Sequence, residues 1–160
     1  MSGCRISAAS EDGAHLLRLE GDVRLIMCTA LDEYFDRIFN DPKFASVWVD
    51  VTGATGLDST TLGMLAKLAI RTKERYGFKP ALYSCDAGIN RLLQSMGFSQ
   101  LFELHSELCQ GLDTAAEIPQ VAASEDEVKG KVIEAHRTLM AMSQSNRDAF
   151  EDLVKTLEAS

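Results

Sequence analysis

The chain has 160 residues, 46% hydrophobic, 25% charged and 7% aromatic, a composition that excludes wholesale disorder and suits one globular core with a short appendage. With 24 acidic against 16 basic residues the net charge is −8, the wrong sign for a chain whose main ligand is a phosphate backbone, so nucleic-acid binding is not expected. The longest uncharged run, Leu92 to Phe102, falls well short of the roughly 20 apolar residues that cross a bilayer. The first residues lack a basic head followed by an apolar stretch, and the expectation is a cytoplasmic protein without a membrane span.

From Arg5 to Glu20 the pattern predicts a β-hairpin around the polar turn Ser10-Glu11-Asp12-Gly13, with Leu17 and Leu19 alternating against Arg18 and Glu20. Leu31, Tyr34, Phe35, Ile38 and Phe39 recur at helical spacing, which predicts an amphipathic helix ending before Asp41-Pro42. Phe44 to Val51 is nearly continuous apolar sequence around Val47, Trp48 and Val49, the pattern of a central strand covered on both faces. Thr52 to Ser59 lacks periodicity and reads as a loop, after which Leu62, Leu65, Leu68 and Ala69 predict a helix running to Tyr76-Gly77. A short strand over Lys79 to Cys85, a helix marked by Ile89, Leu92, Leu93 and Met96 and closed by Gly97, and an edge strand over Leu101 to Leu104 complete the series.

Strands alternating with helices imply right-handed crossovers and an at least partly parallel sheet, so residues 1–110 are expected to form an α/β domain. Residues 111–124 form a linker by composition. Residues 125–160 carry two helical stripes, Val128, Val132, Ala135, Leu139 and Met142, then Phe150, Leu153, Val154 and Leu157. A break at Ser143 to Asn146 is expected, with Ser145 capping the second helix and Asp148 in its first turn, one continuous bent helix being the alternative. Short amphipathic helices are marginal in water, so these stripes must pack on the domain, on a second copy or on a partner.

Enzyme signatures are lacking. Gly53-x-x-Gly56 is followed by no Lys-Ser/Thr pair and matches no dinucleotide fingerprint. The three histidines are isolated, and no Gly-x-Ser-x-Gly elbow or metal-ligand cluster occurs. Cys4, Cys28, Cys85 and Cys109 are irregularly spaced and read as small buried thiols. No catalytic residue, metal or cofactor is therefore expected. The informative segment is Leu57-Asp58-Ser59-Thr60-Thr61-Leu62-Gly63. Asp, Ser and Thr at a helix start are what capping selects, and a hydroxyl there also sits where a phosphate is well accommodated. Gly63, one turn in, costs about 1 kcal/mol against Ala but admits a second backbone, which a partner surface would explain.

Val47-Trp48-Val49-Asp50-Val51-Thr52-Gly53 followed by Leu57-Asp58-Ser59-Thr60-Thr61-Leu62-Gly63 resembles the signature of STAS domains, in particular bacterial anti-sigma factor antagonists. The hairpin end Leu19-Glu20-Gly21-Asp22-Val23, the later Thr29-Ala30-Leu31 and the order of elements fit the same family over residues 5–108. The resemblance implies a mixed β-sheet with helices mainly on one side, joined here to a C-terminal helical extension. It also implies partner switching: the unphosphorylated antagonist sequesters an anti-sigma factor with serine kinase activity, phosphorylation ends that binding, and a metal-dependent serine phosphatase resets it. Carried onto this chain, the phosphoacceptor is Ser59, with Thr60 as fallback. The partner surface comprises Asp22, Arg24, Thr55, Gly56, Asp58, Ser59, Thr60, Leu62 and Gly63, on a monomer or weak dimer. The chain departs from the family where Thr61 replaces a frequent Gly and Arg24 a frequent Asp. Two alternatives belong to other classes: a STAS interaction or sensory module that regulates a non-sigma target without phosphorylation, and a phosphohistidine transfer protein using His136, against which stands the missing Lys and Gly after the His.

Overall fold

The computed structural model describes residues 3–109 and 116–160. Strands β1 (Cys4–Glu11) and β2 (Ala14–Val23) form the expected antiparallel hairpin, in register from Cys4 opposite Gly21 to Glu11 opposite Ala14. Its turn is Asp12-Gly13 with φ of 50° and 86°, the two positive values that a two-residue hairpin matched to strand twist requires. Gly13 has a second constraint, because a Cβ there would lie 1.8 Å from the Lys43 carbonyl oxygen.

The remaining strands build outward from β2. β3 (Ser46–Asp50) runs parallel to it, β5 (Ala81–Tyr83) parallel to β3, and β6 (Glu103–His105) parallel to β5. β7 (Ala116–Glu117) pairs antiparallel with β1, and β4 (Ala54–Leu57) pairs parallel with the far end of β2. Among the described residues the sheet is thus mixed and seven-stranded, in the order β6-β5-β3-β2-β1-β7 with β4 off the path. Five α-helices among the same residues accompany it: α1 (Cys28–Phe39), α2 (Ser59–Tyr76), α3 (Ala87–Ser95), α4 (Glu125–Met140) and α5 (Gln144–Ala159).

The main core lies between one sheet face and the helices. Leu17, Leu19, Val47, Val49 and Leu82 meet Phe35, Phe39, Leu62, Leu65 and Leu93 there. Among the described residues the opposite face is only partly covered. Trp48 is half-buried, and Asp50 is held by Arg18 at 3.0 Å. The expectation that β3 is covered on both faces is therefore corrected: the apolar run around Val47 serves one helical face, while its alternate residues pack at a partly wet surface.

Three local expectations change as well. Residues 54–57, expected as loop, form β4; a strand of four residues containing Gly56 is too short to show an alternating pattern. The residue capping α5 is Ser143, whose Oγ accepts from the Asn146 N–H at 3.1 Å, and not Ser145, which lies inside the helix. Within the stretch expected as linker, Ala116–Glu117 joins the sheet and the Ile118 N–H donates to the Ile6 carbonyl at 2.7 Å; residues 110–115 lie outside the described residues. Of the four cysteines only Cys28 is buried, whereas Cys85 is exposed.

The C-terminal stripes pack on the α/β layer, which they extend to a third layer. Ala135 and Leu139 are fully buried, and Val128, Met142 and Phe150 lie partly buried against the core. Ser124 caps α4 by accepting from the Glu127 N–H, with Glu125, Asp126 and Glu127 in the first turn where the helix dipole favours negative charge. At the hairpin bend, Asn146 Nδ2 donates to the carbonyls of Met96 and Leu139, each at 3.0 Å, which ties the start of α5 to both α4 and the end of α3.

Candidate functional site

The start of α2 is organised by Asp58. Its backbone is extended, its Oδ1 accepts from the Thr61 N–H at 2.8 Å, and its Oδ2 accepts from the Leu25 N–H at 2.7 Å. One carboxylate therefore caps the helix and fixes the loop after β2. Capping falls to Asp58 in full, which leaves Ser59, the first helical residue, without that duty. The neighbouring loop holds a short 3-10 turn, Leu25–Met27, in which Leu25 and Ile26 are 43% and 52% exposed. Arg24 donates to Asp22 at 2.8 Å, and a Cβ on Gly56 would lie 2.8 Å from Asp22 Oδ1. The β2–β4 pairing places Asp22 opposite Gly56.

Asp22, Arg24, Thr55, Gly56, Asp58 and Ser59 thus gather at one edge of the molecule, where β2 and β4 end and α2 begins. Other residues expected in that surface are not available there. Thr60 is 3% exposed and Leu62 1%, both turned into the protein, which removes Thr60 as an acceptor in this conformation. Gly63 is also buried, and the backbone that its missing side chain admits belongs to α4 of the same chain. A Cβ at Gly63 would lie 2.3 Å from the Ala135 carbonyl oxygen. The small residue predicted to meet a partner meets an intramolecular helix instead.

Ser59 has an unexpected neighbour. Its Oγ lies 2.7 Å from His136 Nε2, across 77 positions of sequence. His136 Nδ1 lies 2.7 Å from the Val132 carbonyl, which can only accept, so Nδ1 carries a proton. In the tautomer that leaves Nε2 bare, the Ser59 hydroxyl donates to it. The imidazole is 1% exposed and packs edge-on against Phe150 with ring centroids 5.0 Å apart. Both nitrogens are engaged and the ring is enclosed, so His136 acts as an interface histidine, and the phosphohistidine alternative has no accessible nitrogen in this conformation.

Charged pairs extend this contact. Lys67 Nζ lies 2.7 Å from Glu134 and 3.2 Å from Asp32, and Lys131 Nζ lies 2.6 Å from the other Asp32 oxygen. Partial burial opposes ionisation of Asp32, but Lys131 and Lys67 outweigh it and hold the carboxyl below its usual range. Burial likewise disfavours the Lys131 cation, and Asp32 more than offsets it, so that ammonium is held above its usual range. Nothing in the sequence joined Ser59 to His136. The available signals were Gly63 inside a helix and the small Ala135 inside an apolar stripe, two positions that permit close helix packing.

Among the described residues no group of three or more His, Cys, Asp or Glu is placed to hold a metal ion, and no helix is long and apolar enough to cross a membrane. The sheet order, the helix that starts directly after β4 and the hydroxyl at its first position define a mixed α/β domain with a serine at a helix start. The sequence pattern of the STAS domain matches residues 5–115, and the chain belongs to that family. No curated protein matches the chain.

Proposed function

We propose that this STAS protein is an anti-sigma factor antagonist that works by partner switching, with Ser59 as its phosphoacceptor. STAS domains are typically regulatory modules, and protein–protein interaction is the activity that suits an edge built from loop, strand end and helix start. The observation that carries the reading is the position of Ser59: first residue of an 18-residue helix, relieved of capping by Asp58, whose carboxylate also holds the loop that carries the exposed Leu25 and Ile26. A phosphoryl group on Ser59 adds about −1.5 to −2 charge at neutral pH. The positive end of the helix dipole tolerates that charge locally. A partner pressed over Leu25, Ile26 and Ser59 would have to bury it unmatched, at a cost of several kcal/mol. About 2.7 kcal/mol already weakens binding a hundredfold.

The partners in this reading are an anti-sigma factor with serine kinase activity and a metal-dependent serine phosphatase. The test is incubation of the full chain and of Ser59→Ala with ATP and a soluble extract of the host, followed by peptide mass mapping. Phosphate on the peptide containing Ser59 in the wild type and its absence in the variant support the reading. A wild-type chain that stays unmodified while still co-purifying with a stable partner would favour a STAS interaction module that acts without phosphorylation.

A further inference from the structure

Ser59, Gly63 and Lys67 recur every fourth position along one row of α2, and α4 covers all three. His136 takes the Ser59 hydroxyl, the Ala135 backbone fills the space over Gly63, and Glu134 pairs with Lys67. A kinase has to bring the γ-phosphorus of ATP in line with Oγ at roughly 3–3.5 Å. In the docked arrangement Oγ instead lies 2.7 Å from an imidazole that is 1% exposed, and in the tautomer with Nε2 bare its proton is directed at that ring. The same helix shields Gly63 from any other protein.

We propose that the α4–α5 hairpin is a built-in occupant of the α2 face, which while docked withholds Ser59 from phosphorylation and closes the Gly63 part of the face to a partner. The proposal deepens the reading of Ser59 as phosphoacceptor and rests on it. The coupling runs both ways. Phosphoryl transfer forms the Oγ–P bond, breaks the bond between the γ-phosphorus and the bridging oxygen of ATP, releases ADP and sends the Oγ proton to the base of the kinase. The resulting ester oxygen has no proton to donate to a bare Nε2, and the phosphoryl group needs space that the enclosed imidazole fills, so phosphorylation disrupts the docked Ser59–His136 contact. Docking therefore opposes modification, and modification opposes docking. The hairpin can leave as a unit once the Asn146–Met96, Lys131–Asp32 and Glu134–Lys67 contacts to the domain break, because the Phe150–His136 and Asn146–Leu139 contacts lie within it.

The experiment uses two full-length variants that pry the crossing apart from opposite sides. Ala135→Arg places a long cation where only a methyl fits, and Gly63→Ala adds a single methyl against the α4 backbone, so a failure of the first to fold leaves the second. Amide hydrogen exchange reports whether α4 and α5 lose protection while β2, β3 and β5 keep theirs. Incubation with ATP and soluble host extract, read as phosphate on the Ser59 peptide, reports access. The expected result is selective loss of protection over α4 and α5, with Ser59 phosphorylated at least about tenfold faster than in the wild type, as for a reaction limited by the population of the competent state. Opened helices with an unchanged phosphorylation rate overturn the gate and leave the phosphoacceptor reading intact. Unchanged protection in both variants overturns the gate as well. Absence of Ser59 phosphate in the wild type and both variants sinks the phosphoacceptor reading, and the gate falls with it.

Discussion

The Ser59–His136 hydrogen bond lends itself to a double-mutant cycle. Ser59→Ala removes the donor and leaves His136 Nε2 buried without a partner, in a side chain that is 1% exposed. An orphaned buried acceptor costs about 1–3 kcal/mol. The helix recovers a few tenths of a kcal/mol (~0.3–0.5), because alanine is the better helix former and Asp58 still provides the cap. His136→Leu removes the acceptor but leaves a half-buried serine hydroxyl that water can reach, so its polar cost is smaller. In the double variant neither group is left unmatched. The coupling between the two changes should therefore be about 1–2 kcal/mol, within the span seen for residues in direct contact. Urea unfolding of the four proteins at constant m-value gives this number. Each kcal/mol should also move the melting temperature by about 2–4 °C in a domain of this size. Single changes that add within about 0.3 kcal/mol would show that the 2.7 Å contact contributes nothing specific and that α4 is held by its apolar stripe.

Asp58→Ala removes the cap and the tie to Leu25 together, and should destabilise by about 1–3 kcal/mol; a thermal melt within 1 °C or so (~0.3 kcal/mol) of the wild type would refute that assignment. The Asp32 cluster gives a pH dependence with a definite sign. Lys131 and Lys67 hold its carboxyl below the usual carboxylate range when folded, so its contribution is complete above that range and is lost as pH falls through the folded pKa. Amide exchange between pH 5 and pH 3 should then show α4 loosening in the wild type more than in Asp32→Asn, whose side chain does not titrate, and identical acid responses would remove Asp32 from the docking contact.

The sequence made the α/β domain readable because its elements carry their own signals. The Asp12-Gly13 turn, the helical spacing of Leu31 to Phe39 and the closing Gly97 each act within a few residues. The hidden features depend on tertiary contact. β4 became a strand because the end of β2 offered it a ladder, which four residues around Gly56 cannot advertise. Ser143 and Ser145 are equivalent cap candidates by composition, and only the chain direction after Met140 selects the first. At the site, Thr55, Gly56, Asp58 and Ser59 were legible as neighbours in one segment, whereas Asp22 and Arg24 entered only through the family resemblance. The partner of Ser59 was not, because His136 lies on a separate amphipathic helix whose docking face is defined by apolar residues. The cost of Gly63 in a helix was a correct sign of close packing, and the identity of what packs there required the fold.

The short pairing of Ala116–Glu117 with β1 sets the strength of everything beyond it. With Ile118 fixed to Ile6, the hairpin that begins at Glu125 hangs on six residues, 119–124, a leash of about 20 Å at full stretch. A hairpin lifted off α2 cannot diffuse away; it remains at an effective concentration in the millimolar range, as short tethers give. Any protein that competes for the α2 face must therefore outbid a local rival present at far above cellular protein concentrations. Cutting or lengthening residues 119–124 would shift that competition without touching one contact in either interface.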